Sequence, residues 1–162
     1  MKCLQCGGQM TTARENFRYD AVGLPVTLHG VEVSRCPECG EYEVAIPRID
    51  ELHRAIALPV IRKRARLTSG EIRFLRKYLG WSGVDFARHM GVDVSTVSRW
   101  ENGQQMIGGQ ADRLLRLLVA RLRPVEEYPL EELDSIEDVE APPLRIGASV
   151  KNDTWRAEAA QA

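Results

Sequence analysis

Apolar positions recur with helical spacing through the middle of the chain. After Thr68-Ser69-Gly70-Glu71, a capping-box pattern, Ile72, Leu75 and Leu79 fall on one helical face. Ser82 caps a second helix, whose Phe86, Ala87 and Met90 look inward while His89 faces solvent. Ala87 is small enough to let the following helix cross closely. The stretch Met90 to Gly103, MGVDVSTVSRWENG, reads as a turn and a third helix. Gly91 has no Cβ and can take the positive φ of a tight turn. Asp93 is a good N-cap, and Gly103 sits where a glycine ends a helix. Val97 and Trp100, three apart, dock on a core, which leaves Ser95, Thr96, Ser98 and Arg99 on the free faces. Gly108-Gly109 then break the chain before a stripe of Ala111, Leu114, Leu115, Leu118 and Leu122, with Arg113, Arg116, Arg121 and Arg123 around it. The stripe is mostly core; Leu117 and Val119 are candidates for a dimer seam.

Ahead of these helices the period changes. Val22, Leu24, Val26 and Leu28 alternate, and Val31 and Val33 resume after Gly30, as in a hairpin or short meander with Pro25 on an edge strand. An exposed edge near Val22 to Leu28 would suit strand addition by a protein partner. His29 is expected at a surface turn. Pro47 opens a helix over Ile49 to Ala57 as its first residue, His53 sits inside it as a structural residue, and Pro59 interrupts the pattern. Arg62, Lys63, Arg64 and Arg66 follow as a basic linker, open to two readings, phosphate contact or plain solvation. From Pro124 the chain turns acidic and proline-punctuated, which predicts a largely disordered tail with a short amphipathic piece around Leu130, Leu133 and Ile136. The organisation expected is α+β with two small domains. A β domain over 1–46 and a helical and basic linker over 47–67 lead to a helix-turn-helix bundle over 68–123 and the tail over 124–162.

Composition changes this picture in one respect. The 162 residues carry a net charge of only −1, but it is unevenly spread. Residues 1–60 hold 6 basic and 8 acidic side chains, residues 61–123 hold 13 and 5, and residues 124–162 hold 3 and 10, giving −2, +8 and −7. The basic block coincides with the turn and third helix, the electrostatic footprint of a nucleic-acid binder. The acidic tail could fold back on that block and compete with DNA, or could simply be solvated. No apolar run approaches a membrane span, and MKCLQCGGQM has no apolar signal-peptide core, so a cytoplasmic location is expected.

All four cysteines lie in the first 39 residues, in two copies of one pattern: Cys3-Leu4-Gln5-Cys6-Gly7 and Cys36-Pro37-Glu38-Cys39-Gly40. Two residues between cysteines let both thiolates meet one ion, and the glycine after the second permits the tight turn of a knuckle. Cys3, Cys6, Cys36 and Cys39 thus form the closed tetrahedral set of a structural Zn²⁺ site, with no position left for water or substrate. The metal would staple a β domain too small to bury a sufficient core alone.

The turn and third helix are those of a helix-turn-helix, whose second helix enters the major groove. Arginine can bond guanine O6 and N7 together, and the hydroxyls of Ser95, Thr96 and Ser98 suit phosphates or base edges. No catalytic constellation is present: no histidine accompanies a nucleophile motif, and there is no glycine-rich phosphate loop. An enzyme is not expected.

Both CxxCG knuckles followed by GVDVSTVSRWENG resemble the bacterial zinc-finger/helix-turn-helix proteins of the YgiT, or MqsA-type antitoxin, family, over residues 1 to about 123. The resemblance implies an N-terminal zinc domain, an Xre-class helix-turn-helix, a homodimer on a palindromic DNA operator, and Ser95 and Arg99 at base-reading positions. In toxin–antitoxin members it also implies that the zinc domain binds a small toxin encoded by the adjacent gene while the protein represses its own operon. The alternatives are a stand-alone transcriptional regulator with no toxin, and an interaction module whose DNA binding is vestigial. One departure stands out: Xre-type domains usually carry a glutamine where this chain has Gly83.

Overall fold

The computed structural model describes residues 1–123 and 128–160. Among them the chain forms strands β1 (Thr11–Tyr19), β2 (Val26–Arg35) and β3 (Tyr42–Val44), then helices α1 (Ile49–Ile61), α2 (Ser69–Tyr78), α3 (Gly83–Met90), α4 (Val94–Glu101) and α5 (Gly109–Leu122). A short 3-10 turn, Leu130–Leu133, leads to strands β4 (Ile146–Lys151) and β5 (Thr154–Ala159). The α+β class holds.

The alternating apolar run does not divide into two strands: Val22 and Leu24 lie in the turn, and the rest lie on one strand. Val26, Leu28, Val31 and Val33 all belong to β2 and are all buried. Gly30, at φ 66°, is the site of a bulge at which the register with β1 slips between Glu15 and Phe17, and its amide bonds the side chain of Asn16. The partner strand β1, TTARENFRY, was not legible as one: it is polar on both faces until Phe17 and Tyr19. The β1–β2 turn falls at 20–25, where Gly23 takes φ 71°.

The larger departure is at the C-terminal end. Residues 146–159, expected within a disordered tail, form a hairpin that extends the sheet in the order β1-β2-β4-β5. Strand β4 runs parallel to β2, with Val26, Thr27 and Leu28 opposite Ile146, Gly147 and Ala148, and Ile146 N–H bonds the Pro25 carbonyl at 3.0 Å. The edge expected to be open near Val22 to Leu28 is therefore closed by the chain's own C-terminal segment. Its turn, Asn152-Asp153, takes φ 48° and 61°, the two left-handed residues of a type I′ hairpin. The apolar alternation of Ile146, Ala148 and Val150 against Trp155 and Ala157 is real but built largely from small residues, beside an acidic flank that masks it. Residues 124–127 and 161–162 of the expected tail lie outside the described residues.

Helix α1 packs across β4 and β5. It runs on to Ile61 through Pro59, because Val60 and Ile61 are fully buried and their packing outweighs the hydrogen bond that a proline cannot donate. Pro47 lies before the helix rather than at its first position; Arg48, in the left-handed region at φ 46°, precedes Ile49. Trp155 of β5, 4% exposed, donates its indole N–H to the Pro47 carbonyl at 2.6 Å and pins the hairpin to the start of α1. His53 finds a partner invisible in sequence: its Nε2 lies 2.9 Å from the Tyr19 hydroxyl, with the rings stacked.

One apolar cluster runs from Val26 and Leu28 through Leu52, Ile56 and Ile61 to Ile72, Leu75, Phe86, Trp100 and Leu115. Sheet and helices thus share a core across the segment at 47–67. Within that segment the basic residues do structural work. Lys63, only 8% exposed, bonds both carboxylate oxygens of Glu71 at 3.0 and 3.1 Å and the Pro142 carbonyl at 3.2 Å. The fully buried Arg116 of α5 donates to Asp112 Oδ1 at 2.6 Å and to the carbonyls of Ile61, Lys63 and Ala65, capping the end of α1. Arg66 pairs with Asp138 and Arg62 with Glu132. Lys63 and Arg66 are thereby withdrawn from the phosphate contact that one reading of the linker gave them.

Candidate metal centre and nucleic-acid interface

The two knuckles fold alike, bond for bond. Gly7 N–H reaches the Cys3 carbonyl at 2.9 Å and Gly40 N–H the Cys36 carbonyl at 3.0 Å. Cys3 N–H bonds the Gly8 carbonyl and Cys36 N–H the Glu41 carbonyl, both at 2.8 Å. Gly7 and Gly40 both take φ 78°, the left-handed turn that the glycine after each second cysteine was expected to supply. β1 and β2 bring the knuckles together, since Thr11, the first residue of β1, pairs with Arg35 at the end of β2.

The four Sγ atoms lie within 4.8 Å of one another, with Cys3 to Cys39 at 3.5 Å and Cys6 to Cys36 at 3.4 Å. Those separations exclude an S–S bond, about 2.05 Å. They are close to the edge of a tetrahedron of about 2.3 Å metal–sulfur bonds, about 3.8 Å. The donor set therefore fits one metal ion such as zinc. Cys3 and Cys36 are buried beside Met10, whereas Cys6 and Cys39 face solvent. Gly8 N–H points at Cys6 Sγ from 3.4 Å. The Cys39 backbone amide, against the cost of burial and with help from the Glu38 amide, draws the Cys36 thiol down to about 7. At Gly8 a Cβ would lie 2.7 Å from a Glu38 carboxylate oxygen, so the two knuckles approach closely there and a larger residue would displace the flexible Glu38 side chain.

At the other end of the molecule, α3, the turn at 91–93 and α4 form the two-helix unit expected from MGVDVSTVSRWENG. Gly91 and Gly103 take φ 68° and 69° as the turn and the helix stop require. Thr68 and Ser82 both make full capping boxes, with Glu71 and Asp85. Asp93 stands at the N-cap position of α4, but its side chain caps nothing. Val97 and Trp100 are buried, and the Trp100 ring meets Phe86 edge-on with 6.3 Å between centroids.

Long-range bonds that sequence reasoning missed anchor α4 to α2. Arg76 and Glu101 form a nearly buried ion pair, Arg76 also bonds the Trp81 carbonyl at 2.9 Å, and Arg73 reaches the Glu101 carbonyl. Arg76 and Glu101 are 25 residues apart, so no local pattern marks them. The outer face of α4 carries exposed Ser95, Ser98 and Arg99, with Thr96 half-buried. Arg99 donates from Nε to Gln105 Oε1 and from Nη2 to Thr96 Oγ1, each at 3.0 Å, and Asn102 Nδ2 bonds Ser98 Oγ at 3.1 Å. Gln105, in the loop after α4, was not singled out in the sequence. Gly83, in the first turn of α3, has open space around its missing Cβ.

The acidic segment does fold back, but elsewhere. Its ion pairs fall on Arg62, Arg66 and Arg113, and among the described residues no hydrogen bond or ion pair joins 128–160 to 94–102. No helix among the described residues is long and apolar enough to cross a membrane.

No curated protein matches the chain. A family model for the helix-turn-helix matches residues 72–111, from the first turn of α2 to the start of α5, and with the four-cysteine cluster it supports a DNA-binding transcriptional regulator of the Xre type that can hold a metal ion.

Proposed function

We propose that this chain is a sequence-specific transcriptional regulator that binds a palindromic operator as a homodimer, reading bases with Arg99 and Ser95 and phosphates or base edges with Ser98. The carrying observation is the outer face of α4: a rigidly anchored helix presents an exposed arginine and two serines. Cys3, Cys6, Cys36 and Cys39 hold Zn²⁺ as a structural ion. Bound there, it would supply four metal–thiolate bonds and no open coordination position. The test is fluorescence anisotropy of the full-length protein on duplex DNA from upstream of its own gene. Binding at least about a thousandfold tighter than to unrelated duplex is expected. Equal affinity for both would remove sequence-specific regulation.

The finer reading is an antitoxin that neutralises a small toxin encoded by the adjacent gene and represses its own operon. It rests on the order of the motifs, two CxxCG knuckles ahead of GVDVSTVSRWENG. The stand-alone regulator has an observation in its favour: the strand edge that would have received a partner already pairs with β4. Co-expression with the neighbouring gene product separates them. Co-purification with relief of toxicity supports the antitoxin, and their absence leaves the stand-alone regulator.

A further inference from the structure

Resting on that reading, we infer that Thr96 and Gln105 are positioning residues: they hold the Arg99 guanidinium in its base-reading orientation before DNA arrives, and so set how sharply one base pair per half-site is discriminated. Arginine carries five N–H donors in a planar fork. Gln105 Oε1 takes the one on Nε and Thr96 Oγ1 takes one on Nη2. Three remain, two on Nη1 and one on Nη2, and among the described residues none of them has a partner. A bidentate bond to guanine O6 and N7 needs two of those free hydrogens.

The geometry comes from two different elements. Thr96 lies one turn before Arg99 on α4, so its hydroxyl reaches the guanidinium from the same helical face. Gln105 comes from the loop, which is itself tied to the arginine's own backbone. Both the Gln104 and the Gln105 amides bond the Arg99 carbonyl, at 2.9 and 3.2 Å. The loop thus returns over the end of α4 and places an amide oxygen beside Nε. A free arginine on a helix surface samples many rotamers. One held at two nitrogens has lost much of that freedom before binding, so less is lost on the DNA. This makes Thr96 a holder of the base-reading group rather than a DNA contact of its own.

The test uses the full-length, zinc-loaded protein throughout. Binding is first selected from a library of duplexes with a randomised core, and Arg99→Ala identifies the base pair that Arg99 reads. Discrimination at that base pair is then measured for wild type, Gln105→Ala, Thr96→Val and Thr96→Ser. Gln105→Ala and Thr96→Val should each lower it by about two- to tenfold, the usual cost of immobilising one long side chain. Preference at the other positions should hold, and Thr96→Ser, which keeps the hydroxyl, should restore the wild-type value. In the DNA-free protein the Arg99 Nε–H NMR signal should be sharp and protected from exchange, and should lose that protection in Gln105→Ala. Wild-type discrimination in both Gln105→Ala and Thr96→Val overturns the clamp while leaving DNA reading intact, and an equal loss at every base pair makes it merely structural. A wild-type protein that selects no sequence removes the functional proposal, and the clamp with it.

Discussion

Trp155→Ala asks directly whether the C-terminal hairpin belongs to the folded body. Trp155 is 4% exposed, sits in the shared core and donates to the Pro47 carbonyl at 2.6 Å. A buried tryptophan removes about 150–250 Å² from water, which at about 25 cal/mol per Å² amounts to about 4–6 kcal/mol. Measured Trp→Ala changes run at about 3–5 kcal/mol because surroundings relax and the unfolded chain is itself partly collapsed. The lost hydrogen bond, about 1 kcal/mol, falls within that range. A loss of about 4 kcal/mol is a large share of the stability of a domain this size. Urea unfolding of the full chain, followed by far-UV circular dichroism, reads it as a fall in midpoint. β4 would then separate from β2 and expose Val26 and Leu28 along the strand. A loss under about 1 kcal/mol would refute the reasoning, because a detached tail would cost nothing.

Lys63→Ala and Lys63→Met each leave Glu71 buried without its cation and should cost about 3–5 kcal/mol; thermal melts of both check this. A solvated linker lysine would show no loss in either. Removing the metal ion with a chelator should release the knuckles, whose apolar cluster among the described residues is Cys3, Met10 and Cys36, while the strand and helix core persists. Amide NMR signals of residues 1–10 and 36–41 should collapse with those of 26–33 and 52–61 retained, and unchanged spectra would contradict it. Burial holds the His53 imidazole below its ordinary 6.5, against the pull of Asp50 and with Arg123 adding to the depression. Below that pH the unfolded chain binds the proton that the folded one refuses, so stability falls as pH drops through about 6.5. Urea midpoints of His53→Gln across that range should fall less than wild type, and parallel curves would remove His53 as the cause.

What was legible in the sequence was what local chemistry dictates. The capping box at Thr68, the cap at Ser82, the glycines at 91 and 103, the buried pair Val97 and Trp100 and the two CxxCG knuckles each announce themselves within about ten residues. The structure brings each to its expected place. What failed depended on distant partners. β1 carries few apolar residues because only Phe17 and Tyr19 of it turn toward the body. Lys63 looked like a free cation because its anion, Glu71, is also the capping residue of another helix. The hairpin at 146–159 did carry a signal, Asn152-Asp153 between alternating residues, but the acidic run before it set the expectation for the whole segment. The sequence around His29 suggests a surface turn, yet His29 lies on β2 across Gly147, a neighbour 118 residues away.

The most direct test of the account is binding-site selection from randomised duplex DNA, wild type and Arg99→Ala side by side. Wild type should return a palindrome with half-sites about 10 bp apart. The Arg99→Ala protein should return the same palindrome relaxed at one position per half-site, by about 1–3 kcal/mol. An Arg99→Ala protein that selects the same site as wild type, base for base, would contradict the assignment of α4 as the helix that reads DNA.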